Sequence, residues 1–162
     1  MKYVAGLLAL CTMSAFAQVP ISGTVESKCV ITTDTDGVYG NPTPSKLSTA
    51  TADGGVTAVV RFDVVSADYY KARITYPNDF SSSPELLDTV NWSGAVTVGE
   101  VSNAEMAAYE TAKVEFNNTV EFDLTLAGST WFKIDSEADY GYDKAFPAGT
   151  YNAVVEAECI AK

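Results

Sequence analysis

Apolar and polar side chains alternate with a period of two along most of this chain, and that pattern confines it to half-buried β-strands. From Val19 onward the positions Val19, Ile21, Gly23, Val25, Cys29 and Ile31 are apolar or small, set against polar Ser22, Thr24, Glu26 and Lys28. The pattern recurs at Val56, Ala58, Val60, Phe62 and Val64, at Tyr70, Ala72, Ile74 and Tyr76, and at Val90, Trp92, Val96 and Val98. It is clearest at Val114, Phe116, Val120, Phe122, Leu124 and Leu126, expected to form one strand, and it closes at Tyr151, Ala153, Val155, Ala157 and Cys159. A short extra strand is predicted over 131–134.

Turn chemistry separates these runs at Asp36-Gly37, Asn41-Pro42, Asp53-Gly54-Gly55, Pro77-Asn78-Asp79, Ala127-Gly128 and Pro147-Ala148-Gly149. Ser102-Asn103-Ala104-Glu105 has capping-box spacing, so a helix of two or three turns is predicted over 102–113. The polar stretch from Thr32 to Gly55 reads as a long, mobile crossover. About seven strands, one short helix and no βαβ rhythm predict an all-β, immunoglobulin-like antiparallel β-sandwich in a single domain, 18–162.

Residues 1–17 read as a secretory signal peptide: Lys2 is the basic start, Val4 to Met13 the apolar stretch, and Ala15-Phe16-Ala17 the small-x-small cleavage pattern. No other apolar run approaches the roughly 20 residues that span a bilayer, so no membrane span is expected after the signal is removed. The expected location is secreted, extracellular or at the cell surface, by way of the periplasm if the source is bacterial. Cleavage leaves 9 basic and 21 acidic side chains, a net charge of −12, and two cysteines. In an oxidising compartment that pair reads as one disulfide, Cys29 to Cys159, closing nearly the whole mature chain.

Composition then removes function classes. The sequence has no His, which excludes Ser-His-Asp and Cys-His nucleophilic pairs and His-ligated zinc. An excess of carboxylates repels phosphate backbones, so no nucleic-acid partner is expected. No enzyme activity, no catalytic residue and no cofactor are predicted.

The signal peptide, the alternating segment leading into Gly23-Thr24-Val25 and Cys29-Val30, the sandwich pattern and the Pro147-Ala148-Gly149-Thr150-Tyr151 lead-in to a C-terminal strand together resemble the chaperone-usher pilin subunits and the secreted domains of the spore-coat-U type. Tyr151 after its glycine turn also resembles the tyrosine corner of immunoglobulin-like sandwiches. The pilin resemblance implies a non-catalytic structural subunit of a surface fibre or pilus, built by N-terminal strand donation. Val19, Ile21, Gly23 and Val25 would fill a groove in the next subunit. Tyr151, Ala153, Val155 and Ala157 would line that groove. The implied partners are other copies of itself or related subunits, and a periplasmic chaperone. The chain departs from that family in pairing its first cysteine with one at the far C-terminus.

Two other constellations stand beside this one. Tyr140, Tyr142 and Trp131 could stack on a glycan, which would make the chain a monomeric carbohydrate-binding or adhesin module. For Tyr140 and Tyr142, in a Gly- and Asp-rich segment, exposure is expected, whereas Trp92 is assigned to the core. Asp34 and Asp36, with Asp135, Glu137 and Asp139, are weak calcium candidates, because oxygen-rich loops suit that ion. Neither segment completes a calcium-loop pattern, so no metal is predicted.

Overall fold

The computed structural model describes Ile21, Ser22, Thr24 and residues 28–162. The expected signal peptide, 1–17, and Val19, Gly23 and Val25 of the expected assembly strand lie outside the described residues. Among the described residues, ten strands form two antiparallel sheets packed as a sandwich. The first sheet holds β1 (Cys29–Thr35), β2 (Gly40–Thr43), β3 (Lys46–Ser48), β4 (Ala58–Val64), β6 (Asn91–Val101) and β9 (Gly128–Asp139). The second runs in the order β10 (Glu156–Ala161), β5 (Tyr70–Thr75), β8 (Thr119–Leu124), β7 (Val114–Phe116).

Strand β9 organises the first sheet. One of its edges pairs with β4 along Gly128 to Ile134 and with β3 along Glu137 to Asp139, while the other pairs with β6. Its alternate residues Thr130, Phe132, Ile134, Ser136 and Ala138 point inward and are buried. Phe132 meets Phe62 of its own sheet edge-to-face at 5.5 Å and Phe122 of the opposite sheet at 4.4 Å. These rings, with Ile74, Val96, Met106, Val120 and Leu124, form the core between the layers. Gly128 opens β9 at φ 139°, and a Cβ there would stand 2.7 Å from the terminal methyl of Met106, so glycine lets that side chain cross close to the backbone.

Several local expectations change. The run from Val114 to Leu126 is a hairpin: β7 turns at Asn117-Asn118, Asn117 having φ 53°, and Phe116 pairs with Thr119. A two-residue turn moves the flanking even-numbered residues to opposite faces, so Val114 and Phe116 are exposed while Val120 and Phe122 are buried. The expected short strand at 131–134 is the twelve-residue β9. The helix is shorter than predicted, a 3-10 turn at Ala104–Ala108 followed by one α-helical turn, α1 (Tyr109–Ala112). Asn103 caps it by accepting from Glu105 N at 3.0 Å; Ser102 instead accepts from Ser129 N at 2.8 Å. The predicted mobile crossover from Thr32 to Gly55 carries most of β1, the β2–β3 hairpin and a 3-10 turn at Thr51–Asp53. The last strand begins at Glu156 rather than Tyr151.

The outer face of the second sheet is a charge ladder across three strands. Arg73 Nε and Nη2 both donate to Glu121 Oε1, at 2.9 and 2.7 Å, and Lys71 lies 3.4 Å from the same carboxylate. Glu158 approaches Arg73 at 3.7 Å from β10. The Arg73 hydrogen bonds hold the Glu121 carboxyl below its usual range, against some desolvation. A carboxylate with a folded-state pKa below its unfolded one stabilises fully above the unfolded value, near 4.3, and loses that contribution as the pH falls through the folded value. Glu121→Gln is therefore expected to lower the urea midpoint at neutral pH, with the deficit from the parent shrinking as the pH falls below about 4.3. A deficit of equal size at low pH would show that packing, not charge, is what the substitution removes.

Candidate assembly groove

β1 and β10 are edge strands of the two sheets and lie next to each other, so a seam runs between them. Among the described residues β1 pairs only with β4, and β10 only with β5. Neither strand has a fully buried residue. Thr33 and Val60 are cross-strand partners and so share the inner face. Val60 is 8% exposed, yet Thr33 is exposed: among the described residues, no strand of the second sheet covers the inner face of β1 past Ile31.

A cleft of about 300 Å³ fills this gap. Thr33, Thr35 and Gly37 form one wall, Ala153, Val154 and Val155 the other, and Ala58, Val60 and Ile134 an apolar floor. Polar groups at the deep end are already paired. Tyr39 Oη and Ser136 Oγ lie 2.8 Å apart, and Thr49 Oγ1 accepts from Ser136 N at 2.9 Å. Burial raises the Tyr39 phenol above its ordinary value, opposed by its bond to Ser136, so it stays protonated. With its polar groups satisfied, the floor favours an apolar occupant.

At one end the cystine closes the seam: Cys29 and Cys159 are bonded, with their Cα atoms 6.3 Å apart. Ile31, Val155 and Ala157 are half-buried against the core between this bond and the cleft. Ala153 to Val155 continue past the end of the β5–β10 ladder, which starts at Glu156, so they have no strand partner among the described residues.

Of the predicted groove residues, Ala153 and Val155 line the cleft and Ala157 sits nearer the cystine. Tyr151 does not line it. Its ring packs against Phe80 and Phe146 at 5.1 and 5.2 Å, and its hydroxyl donates to Pro147 O at 2.7 Å. Burial and the neighbouring Tyr140 raise its pKa, which keeps that hydroxyl a donor. The bond back to a carbonyl four residues upstream is the geometry of a tyrosine corner, and it aims the chain along the seam. Ile21 is 97% exposed. Nothing in the sequence singles out Thr33, Ala58, Ile134 and Ser136 as groove residues. The available signal was Thr33 and Thr35, polar residues on the apolar parity of β1.

The glycan candidates do not converge. Tyr140 is 6% exposed, stacked on Phe146 at 5.2 Å, with its hydroxyl accepting from Leu87 N and Asp88 N. The expectation that it is exposed fails because it keeps the inward parity of β9. Tyr142 is 92% exposed, whereas Trp131 lies on the outer face of β9 with Arg61 5.7 Å from its ring centroid. Nine residues of extended chain place Trp131 about 30 Å from Tyr140. Trp92 packs on Phe80 at 4.6 Å in a satellite aromatic cluster rather than in the central core.

The acidic candidates are also engaged one by one. Asp34 accepts from the Trp131 indole at 3.2 Å, Asp135 from Thr57 at 2.7 Å and Asp139 from Gly141 N at 2.8 Å, while Glu137 pairs with Lys46 at 2.9 Å. Asp36 borders the cleft. Among the described residues no group of three or more acidic or cysteine side chains is arranged to hold a metal ion, and no helix is long and apolar enough to cross a membrane. No family model, no curated protein and no solved structure matches the chain.

Proposed function

We propose that this protein is a non-catalytic structural subunit of a surface fibre, in which the N-terminal strand of one copy occupies the open seam of the next. The uncovered inner face of β1 at Thr33, facing the unpaired backbone of Ala153 to Val155, carries the proposal. An extended segment laid there gains main-chain hydrogen bonds from the exposed walls, while its alternate side chains enter the cleft. Val19, Ile21, Gly23 and Val25 supply that alternation, and each buried Val or Ile contributes about 1.5 to 3 kcal/mol. Ile21, almost wholly exposed in the single chain, gains from such burial. A periplasmic chaperone would occupy the same seam before assembly, since the uncovered edge is a template for unwanted pairing. The acidic surface keeps unassembled copies soluble.

Ile21→Asp tests this directly. Because Ile21 is exposed in the monomer, the variant is expected to keep its unfolding free energy to within about 0.5 kcal/mol while losing assembly. Val25→Asp is likewise expected to lose assembly. Chromatography with light scattering reads the result. Variants that assemble like the parent would remove the N-terminal strand from the interface, and variants that unfold would assign that strand to its own domain.

A further inference from the structure

We propose that the Cys29–Cys159 bond is a stop at the end of the assembly seam, limiting the donated strand to about five residues and fixing its register. This rests on the strand donation proposed above and says which part of the donor is used.

The geometry is that of two walls hinged at one end. Cys29 is bonded to Cys159, and further along Thr33 and Thr35 face Ala153 to Val155 across the cleft. The walls therefore run antiparallel, and the seam begins at the cystine and widens away from it. A strand bonded to both walls requires them two inter-strand spacings apart, about 9.5 Å. At the cystine the Cα atoms are 6.3 Å apart, and a covalent bond prevents them from parting. Ile31 and Ala157, next along, are half-buried against the core. Among the described residues of this seam, room for an extra strand lies where the cleft is open, along Thr33 to Gly37. Five residues of extended chain cover about 17 Å.

Only a short donor with alternate apolar side chains fits such a site. Ile21 to Val25 is the matching stretch: Ile21 and Val25 would reach the floor of Ala58, Val60 and Ile134, with Gly23 between them on the same parity. A donor sliding further would meet the cystine, so register is set by a covalent barrier rather than by side-chain fit alone.

Amide hydrogen exchange on oxidised polymer, compared with the Ile21→Asp monomer, tests this. About five consecutive donor amides are expected to slow by tenfold or more, together with amides of Ala153 to Val155, leaving the rest of 18–28 unchanged. Protection over eight or more consecutive donor residues, or new protection beside Cys159, would overturn the stop while leaving strand donation intact. Absence of any polymer, or polymer without donor protection, would overturn strand donation and the stop with it. In polymer of the Cys29→Ser/Cys159→Ser double variant the protected stretch is expected to lengthen, and an unchanged length would assign the limit to something other than the bond. Should that variant fail to fold, the length measured on oxidised polymer still decides.

Discussion

Replacing Cys29 and Cys159 together by serine is expected to lower the unfolding free energy of the monomer by about 4 to 5 kcal/mol. The bond spans 130 residues of sequence, so its loss returns nearly the full loop-closure entropy of the chain to the unfolded state. Location adds to length. The cystine joins the outermost strands of two different sheets at a seam where neither strand has a fully buried residue, so little packing holds the two edges together without it. The melting temperature should fall by about 10 to 20 °C, and the urea m-value should rise because the released chain exposes more surface on unfolding. Urea titration of oxidised parent and double variant measures both. A loss below about 1 kcal/mol would mean that the seam is held by contacts other than the cystine.

The second large effect lies in the centre of the sandwich. Phe132→Ala should cost about 3 to 5 kcal/mol, because Phe132 is fully buried and is the ring through which the two sheets meet. Its truncation removes the contact with Phe122 across the layers and the edge-to-face contact with Phe62 within its own sheet. Both neighbours are rigid aromatic rings on paired strands, so the cavity closes poorly and the cost falls toward the upper end. Phe80→Ala offers the contrast. Phe80 joins Trp92, Phe146 and Tyr151 in the satellite cluster at one end, where it is only half-buried, and a smaller loss is expected. Equal losses for the two would show that the satellite cluster, not the inter-sheet core, is the main support of the fold.

Strands β4 and β5 were legible in the sequence because each has one buried and one wet face, which prints the two-residue period directly. The Cys29–Cys159 pairing followed from counting thiols after the signal. Only four residues of β9 stand out as a strand in the sequence because its inward positions include Thr130, Ser136 and Ala138, which bury small or polar groups and break the apolar pattern that marks a strand. Ser136 is tolerated inside because Tyr39 and Thr49 satisfy it. The β7–β8 hairpin was concealed by its own turn. Asn117-Asn118 keeps the even-numbered apolar spacing in sequence while reversing the face in space, so one strand and a hairpin look alike.

The groove was legible on one wall only. Ala153 and Val155 were marked by the pattern of the last strand, while the floor comes from β4 and β9 and the opposite wall from the second half of β1. Floor residues such as Ala58 and Ile134 have no sequence mark that distinguishes them from core; only the missing cover over Thr33 does so. The burial of Tyr140 is hidden in the sequence because its Gly- and Asp-rich neighbourhood suggests a loop, whereas its parity continues inward from Ala138 of β9.

The most direct test is the solution mass of oxidised protein spanning Gln18 to Lys162, followed over a range of concentrations by size-exclusion chromatography with light scattering. Polymers, or a ladder of integral multiples that survives dilution, are expected from a strand held in its neighbour's seam by a whole backbone ladder. A monomer at every concentration would contradict strand donation and leave the seam as a surface cleft of a self-sufficient sandwich.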